Sequence, residues 1–512
     1  MNESKTGKTT LKFDPNDLFP LRISPFEEYF LLDGRGRFPM SENVVWFFRG
    51  RPNRELLEDA LQEAILYEPT LFATIQKRGT KYYWETTDPT PQIHLSHETV
   101  EHSVLDNSGV LALDRLSAGG SNSVRFHLVT GSDGFLLHSA FNHTLTDGIG
   151  IVRFFSYWMA LYDNRLRQTL SLPQIPCASH CDPLSFRERE DFHIVYPEPV
   201  PLPKRLFTII KRISLWFARR PLNISPILLR HKITDTGETN TGGTHTGETN
   251  AKKNSSALSA ALVIPGTRKA YTDCHRPRLY WRGFPLAAYR ESAKALGVSM
   301  NTSLLRDLFT ASARWLEGIT GNKRSRRLKV VIPINMRTEN HGTLPMANMV
   351  GYLFVNRRTN LCDRSDEFLH GIEDEIQRLR KWSVGAFFTR GLKFFRAIPG
   401  AVYFLTAEFF CHASLVFSNV GQIGTAFVRP DWKENKKIVL ADGSELTRMV
   451  GAPPVRSNSP IGIGIISCNE EMTLNICVDP DIVSDNDLDI FDALFREEIK
   501  KTIAEAGEQK NR

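Results

Sequence analysis

The chain contains no run of about 18 or more apolar residues, so no segment reads as a helix able to span a bilayer. The first sixteen residues, Met1 to Asn16, are polar and lack an apolar core, so no signal peptide is expected. No Lys/Arg stripe is interleaved with aromatics, and the net charge of +7 over 512 residues is modest, so a nucleic-acid role is not indicated. The seven cysteines (Cys177, Cys181, Cys274, Cys362, Cys411, Cys468 and Cys477) are odd in number and scattered. That fits reduced thiols in a cytoplasmic protein better than a disulfide framework. Cys177, His180 and Cys181 have no second ligand pair at usable spacing, so no metal is expected there. Gly-x-Gly-x-x-Gly and phosphate-loop patterns are missing, which argues against nucleotide redox and ATP chemistry. A Gly-x-Ser-x-Gly elbow is missing too, which argues against Ser-His-Asp hydrolysis.

What is present is a globular composition, 41% hydrophobic and 24% charged, long enough for two or three domains. Residues 1–17 read as a flexible lead. Ser24-Pro25-Phe26-Glu27-Glu28 opens a capped helix, with proline in its first position and acids in its first turn. Val44 to Phe48 reads as a strand, Asn53 caps a helix, and Leu71–Ile75 with Tyr82–Trp84 reads as a strand pair. Prolines then cluster between 173 and 203. The stretch 203–220 alternates Lys/Arg with apolar groups and suits an anionic membrane surface or ordinary packing. Residues 232–258 repeat Thr-Gly-Glu-Thr-Asn and read as a disordered insertion. A second α/β half begins near 262. It has a helix over Trp281–Leu296, another capped by Asn301 or Thr302, strands over Leu328–Arg337, Asn348–Val355 and Ser414–Gly421, and a final helix capped by Ser484. The expected organisation is an N-terminal lobe over 18–200, a linker over 201–261 and a C-terminal lobe over 262–512. Phe387 to Phe410, rich in Phe and Leu, suits the wall of an apolar tunnel.

The stretch with chemical content is Phe141-Asn142-His143-Thr144-Leu145-Thr146-Asp147-Gly148. An apolar strand over 134–141 runs into it, and Ile149, Val152, Phe155 and Trp158 leave it at helical spacing. His143 thus stands at a strand end, Asp147 turns the chain, and Gly148 lets the backbone turn without a Cβ penalty. Imidazole suits proton abstraction near neutrality, which makes His143 a candidate general base; the plain alternative is a structural histidine. A metal site using His138 and His143 fails, because five residues along a strand put them on opposite faces.

These residues resemble the His-x-x-x-Asp-Gly acyltransferase superfamily of chloramphenicol acetyltransferases, alcohol acetyltransferases, wax-ester synthases and peptide-synthetase condensation domains. The Ser24-Pro-Phe-Glu-Glu opening, Gly297-Val-Ser-Met-Asn301, Ile332-Pro-Ile-Asn-Met-Arg337, Asn348-x-x-Gly351 and Ser418-Asn419-Val420-Gly421 occur in the family's order. The resemblance implies an α/β fold of two chloramphenicol acetyltransferase-like lobes, each a mixed sheet with flanking helices, forming a V around a central tunnel. It implies that His143 deprotonates an alcohol or amine acceptor, which attacks the thioester of an acyl-CoA or acyl-carrier protein. The thioester is a co-substrate, and no bound cofactor is expected. Asp147 would orient the loop by pairing with an arginine, for which Arg337 is the candidate. Gly148 would keep the approach to the thioester open, and Ser418 and Asn419 would donate to the oxyanion or cap their strand. Where some relatives carry a second histidine this chain has Asn142, expected to be structural. Tyr67-Glu68-Pro69 stands where condensation domains carry an Arg-His pair. No carrier site follows the second lobe, so a carrier would act in trans. The rival expectation is a non-catalytic binding or assembly protein of the same fold. A cytoplasmic location, with peripheral contact at the inner membrane surface, completes the expectation.

Overall fold

The computed structural model describes residues 11–35, 38, 40–86, 93–106, 108–176, 181–191, 221–236, 262–263, 276–381, 384–407 and 410–510. The basic stretch 203–220, and the insertion from 237 to 258, lie outside the described residues. In chain order the first strands are β1 (Leu21–Arg22), β2 (Ser41–Arg49), β3 (Ala73–Arg78), β4 (Lys81–Thr86), β5 (Leu95–Thr99), β6 (Ser108–Ala112), β7 (Val124–Thr130) and β8 (Gly134–Asn142). They are followed by β9 (Leu262–Val263), β10 (Arg278–Pro285), β11 (Arg327–Asn335), β12 (Val350–Arg358), β13 (Leu415–Gln422), β14 (Glu445–Ala452), β15 (Ile461–Cys468) and β16 (Glu471–Val478).

Among the described residues these form a five-stranded sheet in the order β14-β2-β8-β7-β5, an eight-stranded sheet in the order β12-β11-β13-β15-β16-β10-β6-β9, and a small sheet β1-β4-β3. Both larger sheets are mixed. In the first β5 runs parallel to β7, and in the second β13 runs parallel to β11 and β15, while the other large-sheet pairs are antiparallel. Each sheet carries flanking helices, so the protein is α/β with two lobes. No described helix is long and apolar enough to cross a membrane.

Both faces of the first sheet are covered, which explains why β8 reads as an unbroken apolar run and is buried along its whole length. Strand alternation splits β2 between two cores: Val44, Trp46 and Phe48 pack under the Gly148–Thr169 helix, while Val45 and Phe47 pack into the core of the second lobe.

The lobes are not the two sequence halves. Strand β14, from the second half, edges the first sheet against β2, and β6, from the first half, joins β10 in the second sheet. Local differences have plain causes. The lead is packed from Phe13 onward, with Phe13 and Leu18 in the first core. Ser225–Thr236 is a helix, and Ile224 and Leu228 seat its start in the second core. Trp281 to Pro285 belongs to β10, so the helix there begins only at Leu286. The next helix is capped by Ser299, whose hydroxyl accepts from the Thr302 amide at 3.3 Å, rather than by Asn301 or Thr302.

The approach to β14 is fixed by one carboxylate. Asp163, fully buried on the Gly148–Thr169 helix, accepts from the Ala441 amide at 2.6 Å, from Arg167 Nε at 2.7 Å and from the buried Arg429 guanidinium. Asp163→Ala strands the Arg429 charge with Asp431 alone. The expected loss is about 3–5 kcal/mol of unfolding free energy, read as a lowered midpoint in urea denaturation.

Candidate active site between the lobes

A cavity of about 130 Å³, open to solvent, lies between the lobes. Glu42, His143 and Gly148 line it from the first lobe, and Val331, Ser418 and Val420 from the second.

The His143 loop is built by short-range rules. After β8 ends, the Asn142 side chain closes a turn by accepting from the Thr144 amide at 3.0 Å and donating to the Leu116 carbonyl at 3.0 Å. Asn142 is therefore structural. Asp147 caps the following helix by accepting from the Gly150 amide at 3.0 Å. Between them the His143 ring comes to rest on the cavity wall. Its Nδ1 lies 2.8 Å from the Thr146 carbonyl. A carbonyl only accepts, so Nδ1 carries the proton and Nε2 is the nitrogen left for chemistry. Phe30 stacks on the ring, with centroids 4.0 Å apart and planes at 18°. Phe30 is set by the Pro25–Asp33 helix, where Ser24 and Glu27 cap each other reciprocally.

Asp147 is the joint between the lobes. Arg337 Nη1 donates to both of its carboxylate oxygens, at 2.9 and 2.8 Å, and the Met349 amide donates to Oδ2 at 2.8 Å. Arg337 Nη2 also donates to the Ala347 carbonyl at 2.7 Å. Asn348 donates to the carbonyls of His143 and Thr144, at 2.7 and 3.1 Å. Glu68 accepts from the Met346 amide at 2.7 Å. Burial pushes its carboxyl up to about 8. Burial alone would raise Asp147 as well, but Arg337 and the two amides outweigh it and hold the carboxyl below its ordinary value.

Gly148 differs from expectation. Gly148 has no positive φ, and an added Cβ would meet only Val420, at an ordinary 3.7 Å, so it does not release the turn. It leaves open space at the cavity wall. The position that requires glycine is Gly150, where a Cβ would fall 2.1 Å from Thr146 Oγ1.

Ser418 and Asn419 do not act as a pair. Along β13, Val416, Ser418 and Val420 face the cavity, whereas Asn419 points away. Asn419 donates to Asn301 and accepts from the Gly421 amide at 2.8 Å across a bulge. The aromatic stretch from 387 to 410 contributes Phe388 to the cavity, but Phe394, Tyr403 and Phe404 are exposed on the outside. His138 lies inside the first lobe bonded to Asn43 at 3.0 Å, and burial lowers it to about 4, so it stays neutral near pH 7. Cys177 and His180 lie outside the described residues.

One site residue escaped the sequence reading. Glu42, on β2, brings Oε1 within 3.0 Å of His143 Nε2. Burial pushes its carboxyl up to about 7, against the pull of His143 and with a further push from Asp147. A carboxylate in the sequence triplet Ser41-Glu42-Asn43 looks like a solvated strand start; only the β2–β8 register carries it to the histidine.

The Asp147–Arg337 pair has a signed pH dependence. A carboxyl held below its ordinary value stabilises the fold above the unfolded value, about 3.9, and that contribution is lost as pH falls through the lower folded value. Arg337→Met is expected to cost about 3–5 kcal/mol near pH 7. The gap to wild type should narrow below about pH 4, checked by chemical denaturation across pH.

Residues 346–497 match the family model described as the WS/DGAT C-terminal domain. No curated protein matches the chain. Among solved structures, the first condensation domain of the calcium-dependent antibiotic synthetase, in complex with a substrate analogue, is similar with a TM-score of 0.59 and 12% identity, covering 94% of this chain and 96% of that one. The epimerization domain from the third module of tyrocidine synthetase B gives 0.57 and 11%, covering 96% and 97%. The wax ester synthase/diacylglycerol acyltransferase from Marinobacter aquaeolei VT8 gives 0.50 and 13%, covering 95% and 100%. At these identities the structures show a shared two-lobe fold. Together with the family match over 346–497, that fold agrees with the acyltransferase superfamily that the sequence motifs resemble.

Proposed function

We propose that the protein moves an acyl group from an acyl thioester, of CoA or of a carrier protein, to a hydroxyl or amine of a lipophilic acceptor. The observation that carries this reading is the His143 ring at the cavity wall, with its Nδ1 proton held by the Thr146 carbonyl, so that the proton transfer falls to Nε2. Nε2 takes the proton from the acceptor as the acceptor's lone pair attacks the thioester carbon. The carbonyl pair moves onto oxygen, returns as the C–S bond breaks, and the proton passes from Nε2 to the departing sulfur. Ser418, on the cavity face of β13, is the candidate hydroxyl donor to the oxyanion. Asp147 touches no reacting atom in this scheme; it holds the loop in register through Arg337. The lipophilic character of the substrate is supported by Val331, Val350, Phe354, Phe388, Val416 and Met449 along the cavity.

Free-thiol release from acyl-CoAs of graded length, with a panel of alcohols and amines, tests the reading. His143→Ala is expected to lose about 100-fold or more in kcat/KM with the fold intact by circular dichroism. Equal rates in the two proteins remove His143 as the base. A wild type inert toward CoA donors and carrier-loaded thioesters alike leaves the protein as a binding or assembly module.

A further inference from the structure

The environment of His143 Nε2 is unusual for a base. Its far nitrogen, Nδ1, is held by a neutral carbonyl, and the carboxylate stands instead at the reacting nitrogen, with Glu42 Oε1 3.0 Å from Nε2. Two groups that both carry lone pairs approach this closely only with a proton between them. At rest that proton occupies the lone pair that a base needs. The second oxygen, Glu42 Oε2, is buried and accepts no hydrogen bond among the described residues, and Glu42 itself lines the cavity. Among the described residues the ion-pair partner of Glu42 is His143. The other charges facing the pair are already matched: Asp147 by Arg337, and Asp33, across the cavity, by Arg456. Tyr352 and His412 also line the cavity, and His412 is bonded to the Leu405 carbonyl at 2.7 Å.

We propose that Glu42 and His143 share one proton at rest, that loss of this proton arms His143, and that the Glu42 carboxylate then stabilises the imidazolium formed when the acceptor's proton arrives on Nε2. Glu42 is a positioning residue acting through His143. Over a cycle it neither gains nor loses a proton: the acceptor O–H or N–H breaks, Nε2–H forms, and that proton leaves on the thiol. The kinetic consequence rests on the acyl-transfer reading, whereas the shared proton does not.

The test has two independent readouts. In the first, the Cε1 signal of His143 is followed against pH in protein labelled with 13C-histidine, identified by its loss in His143→Gln. Glu42→Gln removes the carboxylate, and the His143 titration midpoint is expected to fall by about one pH unit or more. Glu42→Asp, which keeps the charge on a shorter arm, is expected to fall between the two and guards against a folding failure of the Gln variant. Midpoints that coincide in wild type and both variants overturn the proposal, whatever the activity. In the second readout, thioester consumption, Glu42→Gln should lower kcat about tenfold or more with KM little changed, and should move the acid limb of the pH–rate profile to lower pH. A purely structural role would lower the stability of the variant and leave that limb in place, which also overturns it. If wild type consumes no thioester, acyl transfer fails as a reading, and the titration still decides the shared proton.

Discussion

The carboxylate of Asp147 accepts from the Gly150 amide, the Met349 amide and Arg337, and nearly every other feature of the site is arranged around that cluster. A buried carboxylate without such donors would be costly, and each donor comes from a segment that must therefore be in place. The amide of Gly150 belongs to the helix that Asp147 starts. The amide of Met349 and the guanidinium of Arg337 come from the second half of the chain, about 190 to 200 residues on. Residues 346–349 consequently lie against the histidine loop, with Met346, Ala347 and Met349 inside the first core. The matched family segment begins at residue 346, at the start of this clamp.

Around the cavity the remaining electrostatics follow from desolvation. Glu42, Asp33 and Glu68 are all pushed upward by burial, to about 7, 6 and 8, while Asp147 alone of this group is held down. One carboxylate, held below its ordinary value, organises the loop, and Glu42 and Asp33, both pushed upward by burial, line the cavity. The difference between them is the number of donors each receives. Asp147 has three donor groups and Glu68 one amide; Glu42 has the histidine.

Local signals made much of this legible in the sequence. The strand into His143, the Asp147 cap, the Ser24 capping box and the Ser484 cap all rest on residues within a few positions of one another, where propensity and hydrogen bonding decide. Arg337 was reachable only through a family pattern, because nothing local to it announces a partner 190 residues away. Glu42 was not reachable at all. Its role depends on β2 pairing with β8 in a register that puts it opposite Phe141, one strand over from the loop. The case of Asn419 differs, since strand alternation alone forbids Ser418 and Asn419 from sharing a face. The pairing of those two residues came from a motif, and the pleat overrules it. Gly148 and Gly150 differ for a similar reason: which glycine is obligatory depends on what lies 2 Å away in space, and that is Thr146 and not a turn conformation.

The strand exchange between the lobes bears on how such a chain is made. The first sheet lacks its edge strand until residues 445–452 exist, and Thr447 must find Phe47, 400 residues earlier, to bond with it. During synthesis the β2 edge therefore emerges from the ribosome unpaired and stays so while most of the chain follows. Open strand edges recruit other strands, so this interval exposes the nascent protein to wrong pairing. Closure comes late and over a very long loop, which makes final assembly a slow, high-contact-order event. The cavity between the two lobes is thus completed only once residues 445–452 have reached β2, after the Arg337 and Met349 donors of the histidine loop have been made.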